Sequence, residues 1–398
     1  MKIFFVVRNS FPKGLATTAR VLNYCRGFIE NHINCEVIIP IAIERYGEPI
    51  KNMEYKGVYE HIPYQYISRS TRRSKYLIYR KMKDIFDYIK TLYYLYCNAS
   101  SKDIILVYEG GCLWFYMLCV ISKLKKAHIV MELNELPYGT EIETNNMKKK
   151  RAIMLKKVFP KFDGFIAISE ALASLAYEYS PHSKIIKVPI IVDATISKNV
   201  KTVVHTRPYL FHSGSLFEQK DGIVGMLEAF AIANRALNYK LDYILTGSPE
   251  KSRDYHLIQN IIKKYAIEKY VHFVGYLEVK ELREYQKNCL AVIINKHQTK
   301  QNKYCFSTKL GEYLAFAKPI IITKVGEAMN YLNMNNSYIV NIGSSIDIAT
   351  KIIDIVENED KAQSKGREGY KLATQIFNYK YQGARIVTFF KTIVDHEI

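Results

Sequence analysis

The sequence predicts an α/β protein of two Rossmann-like domains facing each other across a cleft. Three observations carry that expectation. The chain has 398 residues, more than one hydrophobic core ordinarily serves. Short apolar runs alternate with stretches of helical spacing, the pattern of parallel strands joined by crossover helices. The alternation breaks once, at residues 194–206 (ATISKNVKTVVHT), a polar stretch without helical periodicity, and then resumes. The expected domains are therefore 1–195 and 196–378, with a last helical segment, 379–398, packing back across them.

Taken in order, Ile3–Val7 reads as the first strand, followed by a loop with Pro12 and Gly14 and a helix from about Thr17. Glu36–Pro40, Ile104–Tyr108, His128–Glu132, Gly164–Ile168 and Ile185–Val188 read as further strands. Between the first two of these, Ile78, Met82, Ile85, Ile89, Leu92 and Tyr96 recur every three or four residues, with basic residues around the start. That spacing gives a helix with one apolar face, open to two readings: core packing, or a basic amphipathic helix resting on a membrane. The most apolar stretch, Leu113–Ile121, reads as a buried helix. The second domain alternates strands Tyr209–His212, Asp242–Leu245, Val271–Val274, Ala291–Ile294 and Pro319–Ile322 with helices Ile223–Ala236, Tyr255–Tyr265, Val279–Lys287 and Thr308–Ala317.

Composition narrows the class. At 48% hydrophobic and 24% charged the chain is globular rather than disordered. No apolar run reaches the ~18–20 residues needed to span a bilayer. Met1 leads straight into the strand-like KIFFVV, without the features of a secretory signal, so a cytoplasmic location is expected. The seven cysteines show neither CxxC pairing nor metal-ligand spacing, which reads as reduced thiols and no metal site. Net charge is +19, and basic residues cluster at 69–83 (Arg69, Arg72, Arg73, Lys75, Arg80, Lys81, Lys83) and at 148–157. Such clusters attract polyanions, either nucleic acid or anionic lipid. The 32 tyrosines carry no RNA-binding aromatic motif, so nucleic acid is set aside.

In doubly wound domains ligands sit beyond the carboxyl ends of the strands. The loop after Ile294 is long and polar and leads to Ser307 and Thr308, good N-cap residues, and a helix that ends before Pro319. The helix start offers unpaired N–H groups to a diphosphate, Lys309 adds a full charge, and Glu312 follows one turn on. An ordinary capped helix with a surface Lys–Glu pair is the plain alternative. HExxH, GxSxG, P-loop and GxGxxG patterns are absent, which disfavours a metalloprotease, a serine hydrolase, a P-loop enzyme and a dehydrogenase.

These residues carry a resemblance. FSTKLGEYLAFAKPII is similar to the donor-binding segment of the group 1 (family 4) glycosyltransferases of the GT-B fold, in the P-[ST]-K-x-x-E-Y version of bacterial capsule and exopolysaccharide members. Thr308, Lys309, Glu312 and Tyr313 match it, with Ser307 in front, and the resemblance implies that Glu312 binds the donor ribose. Tyr304 stands where the family often has a second, sugar-holding glutamate. HSGSLFEQKDGI resembles the loop in which an arginine and a lysine grip the donor diphosphate; Lys220 matches, Gly214 suits close backbone approach, and Ser215 occupies the arginine position. LTGSPE, with Gly247, and VHFVGYLEVKELREYQKNC, with Gly275, resemble segments that pass or flank the base. On the acceptor side NSFPKGLA supplies Gly14, Arg20 follows in the helix, and MELNELPYG supplies Asn134 and Glu135.

The resemblance spans roughly Lys2 to Ile393. It implies a transferase moving a sugar, with retention, from a nucleotide-diphosphate donor, UDP rather than GDP, to a lipid-linked glycan in surface polysaccharide biosynthesis. Lys220, Glu312, Asn134 and Glu135 are the implied catalytic residues, with no metal or cofactor and with the C-terminal helix crossing back to the N-terminal domain. The basic clusters would then meet the anionic inner face of the plasma membrane. Two rival expectations are a nucleotide-sugar epimerase and a non-catalytic nucleotide-sugar-binding protein on the same fold.

Overall fold

A computed structural model describes the chain except residues 141–142, 199, 202–205, 215 and 396–398. It divides into two compact units, Met1–Ile191 with Tyr379–Ile398, and Val192–Asn378. The first division thus falls between Ile191 and Val192, four residues before the expected 195/196. Val192 N–H bonds the carbonyl of Phe377 (2.8 Å), so the two ends of the second unit pair with each other. Asp193 caps a short 3₁₀ turn, Ala194–Ser197, at the start of the expected linker. Residues 199 and 202–205 of that linker lie outside the described residues.

In the first unit the elements run β1 (Lys2–Val7), α1 (Ala16–Glu30), β2 (Asn34–Ile39), β3 (Lys56–Tyr59), β4 (Ile62–Tyr66), α2 (Leu77–Asn98), β5 (Ile104–Tyr108), α3 (Cys112–Lys125), β6 (His128–Leu133), α4 (Asn145–Ile153), β7 (Gly164–Ala167), α5 (Glu170–Tyr179) and β8 (Lys184–Lys187). Among the described residues they build an eight-stranded sheet of order β3-β4-β2-β1-β5-β6-β7-β8. Every pairing is parallel except the hairpin β3–β4. The central strands are buried along their length, as strands covered on both faces must be.

The second unit continues with β9 (Tyr209–His212), α6 (Glu218–Asp221), α7 (Ile223–Ala236), β10 (Asp242–Leu245), α8 (Tyr255–Tyr265), β11 (Val271–Phe273), α9 (Val279–Asn288), β12 (Ala291–Ile294), α10 (Lys300–Tyr304), α11 (Thr308–Ala315), β13 (Ile320–Thr323), β14 (Tyr338–Val340), α12 (Ser345–Glu357) and α13 (Glu359–Thr374). Among the described residues its six strands are all parallel, in the order β11-β10-β9-β12-β13-β14. In both sheets the first strand is where the order reverses, with β1 between β2 and β5, and β9 between β10 and β12. Such a switch point opens a crevice beyond the carboxyl ends of the strands, the place where doubly wound sheets hold ligands.

The last helix, α14 (Tyr379–Val394), returns to the first unit and lies on α1. Two glycines set the approach: a Cβ on Gly383 would stand 2.5 Å from the Cα of Gly27. Phe390 packs on Phe28 beside them (centroids 5.9 Å apart), and Lys380 reaches Glu30 at 2.8 Å.

Two elements depart from the sequence reading. The β3–β4 hairpin turns through Glu60 and His61, both at positive φ (49° and 64°), without the Asn-Gly or Asp-Gly pair that announces such a turn. The stretch Leu113–Ile121 is helical, but it is not wholly buried. Trp114, Phe115 and Leu118 face inward while Leu113, Tyr116 and Met117 face solvent.

Candidate active site

At the carboxyl end of β9 the chain enters the crevice of the second unit. Ser213 donates its backbone N–H to the hydroxyl of Tyr313 (3.0 Å), and the Ser213 and Tyr313 hydroxyls lie 2.9 Å apart. That latch ties α11 to the end of β9. Gly214 N–H donates to Thr246 Oγ1 at 3.0 Å, at the end of β10. Gly247 N–H then donates to the carbonyl of Gly275 (2.7 Å), both residues at positive φ (94° and 70°). The three glycines of the second unit singled out in the sequence therefore line the ends of three neighbouring strands, where backbone comes close to backbone.

At the centre is Asp221, the last residue of α6, with 3% of its side chain exposed. Its two carboxylate oxygens meet two ammonium groups, Lys296 at 2.7 Å and Lys309 at 3.1 Å. Lys296 also donates to the carbonyl of Lys220 (2.7 Å), while the side chain of Lys220 itself is exposed. Burial would raise the Asp221 carboxyl, but Lys309, Lys296 and His212 outweigh it and hold the group well below the usual carboxylate range. Lys309 is pushed down, first by its burial and then by Lys296 and Lys220, against the pull of Asp221. Two ammonium groups share one carboxylate, so the cluster carries excess positive charge in a partly dry place. An anion relieves that excess.

Gly214 is required beside this cluster. A Cβ there would stand 1.9 Å from the Lys309 ammonium, forcing it off Asp221. Gly222 has φ +61°, and a Cβ on it would lie 2.4 Å from Asn295 Nδ2, which donates to the Gly222 carbonyl at 2.8 Å. Glu218 fixes the same loop from its other end. It accepts from the backbone of Val224 at 2.6 Å and meets His297 Nε2 at 2.9 Å.

Ser307 is the N-cap of α11, its side chain making no cap hydrogen bond, and Thr308 and Lys309 open the first turn. The helix thus turns its first amides and its positive dipole end toward whatever Lys309 meets. One turn on, Glu312 is half-buried and accepts from Gln286 Nε2 at 2.9 Å through one oxygen. Burial pushes its carboxyl up, against Gln286, Arg283 and Lys309, which draw it down. Tyr304 ends α10, and Ser215 lies outside the described residues.

In the first unit, Asn134 and Glu135 follow β6 at the carboxyl edge of the sheet. Asn134 Nδ2 donates to the Tyr108 hydroxyl at 2.5 Å, and Glu135 is exposed. Beside them is Glu109, a residue the sequence reading passed over. It follows β5 at φ +61°, accepts from Asn9 Nδ2 (3.1 Å), and has its carboxyl pushed up by burial and then by Glu135. Gly14 leaves room for the start of α1, since a Cβ there would stand 2.0 Å from Thr18 Oγ1.

Arg20 is in a different setting. It is buried, and its nitrogens bond Glu132 (2.7 Å), the Tyr24 hydroxyl (2.6 Å) and the carbonyls of Val188 and Pro189. Tyr24 closes the triangle by donating to the other oxygen of Glu132 (2.7 Å). Every guanidinium nitrogen faces the protein, so the arginine positions the segment after β8. The sequence reading also missed Asp221 and Lys296; Asp221 stood inside a quoted motif, but only the fold shows which lysines it joins.

Residues 193–372 match a family model described as glycosyl transferases group 1, which covers most of the second unit. No curated protein matches the chain. Among solved structures, Anabaena Alr3699/HepE in complex with UDP-glucose superposes with a TM-score of 0.70 at 14% identity, over 98% of this chain and 100% of that one. Sucrose-phosphate synthase from Thermosynechococcus elongatus gives 0.74 at 12% identity, over 100% of both chains. The pneumococcal O-GlcNAc transferase GtfA, in complex with UDP and GlcNAc, gives 0.66 at 14% identity, over 99% of both. At these identities the likeness is one of fold, and the fold is GT-B.

Proposed function

We propose that this chain, with a GT-B fold and a second unit matching the group 1 glycosyl transferases, transfers a sugar from a nucleotide-diphosphate donor to a lipid-linked glycan. The observation that carries the reading is the pair of ammonium groups, Lys296 and Lys309, on Asp221, next to the exposed Lys220 and beside the N-terminus of α11 at the switch point of the second sheet. A diphosphate there meets ammonium groups and helix amides at once. Glu312, one turn further, keeps one oxygen for the ribose hydroxyls while Gln286 holds the other.

The chemistry asked of these residues is electrostatic. As the glycosidic bond breaks, negative charge grows on the departing diphosphate, and Lys220, Lys309 and the first amides of α11 are placed in advance to receive it. On this reading configuration is retained, the diphosphate takes the acceptor proton, and no metal or cofactor enters. Neighbours of the same fold that hold UDP or UDP-glucose favour uridine as the base. Asn134, Glu135 and Gly14 serve the acceptor. The acceptor is proposed to be lipid-linked and the pathway a surface polysaccharide, as in the capsule and exopolysaccharide enzymes that the sequence resembles.

A thermal-shift screen against UDP- and GDP-sugars tests the donor class, since a ligand that binds only the native state raises its stability by about 2.7 kcal/mol at a hundredfold excess over Kd. UDP-sugars are expected to raise the melting temperature of the wild type and to lose that effect in Glu312→Ala. No shift with any nucleotide sugar would overturn the proposal. Release of UDP only in the presence of acceptor separates a transferase from a binding protein or an epimerase.

A further inference from the structure

Helix α2 is built the wrong way round for a soluble protein. Its buried residues are Asp87 (1% exposed), Thr91 (0%) and Leu95, while Ile78 (77%), Met82, Ile85, Ile89 (57%), Tyr93 and Tyr96 stand in solvent. Those six recur every three or four residues and so form one stripe, about 27 Å long at 1.5 Å per residue. The polar side is tied to the protein: Lys83 donates to the Ser68 carbonyl at 2.9 Å, and Arg73 reaches Asp84 at 2.6 Å. The helix is thus held through its polar side and presents its apolar face outward. A soluble protein gains nothing from that orientation, which exposes a continuous apolar patch.

The neighbouring helix extends the patch. Tyr88 of α2 packs at a tilt on Trp114 of α3 (4.6 Å between centroids), and α3 exposes Leu113, Met117 and Leu124. Lysines rim this surface, with the Lys125 ammonium over the ring of Tyr96 at 4.9 Å and that of Lys161 over Tyr116 at 5.0 Å. Next to it α4 carries the exposed Lys148, Lys149 and Lys150, joined to α3 by Cys112 Sγ donating to the Lys150 carbonyl at 3.5 Å. No acidic residue occurs between Thr144 and Phe162.

We infer that the α2–α3 face is the membrane-docking surface of this protein, lying flat on an anionic bilayer with its stripe among the acyl chains and the α4 lysines on the headgroups. The charge decides the occupant. A second copy meeting the same face would bring its own lysine rim against this one, whereas anionic lipid supplies the opposite charge. None of the described helices is long and apolar enough to cross a membrane, so the contact is interfacial. The inference deepens the lipid-linked acceptor reading by naming the surface that brings the enzyme to its substrate.

Flotation with vesicles tests it without any turnover, so its failure and that of the proposed activity are distinguishable. The probes are neutral phosphatidylcholine vesicles and vesicles containing phosphatidylglycerol, at low and high salt. The wild type is expected to float with the anionic vesicles at low salt, and raised salt is expected to release most of it. The I85E/I89E variant, altered only at exposed positions, is expected to lose about tenfold or more of that partition while keeping its melting temperature and Trp114 emission. K148E/K149E/K150E is expected to lose binding and keep its fold, by roughly fivefold for each lysine near the surface. Failure of the wild type to float, equal flotation with neutral vesicles, or unchanged flotation of I85E/I89E would overturn the inference. So would a wild-type dimer that I85E/I89E converts to monomers, because that assigns the face to a second copy.

Discussion

Replacing Asp221 with asparagine keeps the shape of the side chain and removes the charge that holds Lys296 and Lys309 together. At the observed separations of 2.7 and 3.1 Å, and an effective dielectric constant of about 20, the two attractions amount to about 6 and about 5 kcal/mol before desolvation. Most of that is offset by taking the charges out of water. What remains on losing one partner of a buried ionic group is about 3–5 kcal/mol, because the partners stay behind uncompensated. For a unit of this size the loss lowers the melting temperature by roughly 6–20 °C. Differential scanning calorimetry of Asp221→Asn beside the wild type reads it directly. The pH dependence adds a second signature. The folded carboxyl sits well below its ordinary value of about 3.9, so its contribution is complete above that pH and is withdrawn as pH falls toward the folded value. The wild type should therefore lose stability from about pH 4 downward more steeply than Asp221→Asn. A variant that melts within about 2 °C of the wild type, with the same acid profile, would refute the role given to Asp221.

Glu312→Gln should raise stability slightly, because burial disfavours the charged carboxyl, while weakening nucleotide binding by roughly 10–100-fold, the worth of a hydrogen bond to a charged group; paired melting and binding measurements check both signs. Arg20→Met strands Glu132 in the core of the first unit and should cost about 3–5 kcal/mol in urea unfolding. Gly383→Ala pushes a methyl against Gly27 Cα and should cost about 1–3 kcal/mol by overpacking the α1–α14 contact, seen as a lower urea midpoint with an unchanged slope.

Much of the second sheet was legible because parallel strands buried on both faces write themselves as short unbroken apolar runs, such as Ala291–Ile294 and the stretch leading through Ile320. The start of α11 was legible too, from Ser307 and Thr308 ahead of an apolar helix. Other features depend on partners remote in the chain. Periodicity marked one face of α2 as apolar but had no means of saying which way it points; that is settled by Lys83 and Asp84 finding partners outside the helix, Ser68 and Arg73. Arg20 looked like an acceptor-side cation because a charge in the first helix after a strand carries no sign of burial. Its partner Glu132 is 112 residues away. The β3–β4 hairpin was missed because Glu60 and His61 adopt left-handed conformations that a sequence reserves, on average, for glycine and asparagine. Asp221, next to Lys220, was given no role, although it is the group on which Lys296 and Lys309 meet.

Calorimetric titration with UDP of the wild type beside Lys309→Met bears most directly on a nucleotide-diphosphate site in the second unit. Lys296 continues to pair with Asp221 in that variant, so the fold is kept and only the anion's partner is lost. The wild type is predicted to bind UDP, and Lys309→Met to bind it roughly 10–100-fold more weakly. A wild type that does not bind UDP, or a variant that binds it equally well, would contradict the account.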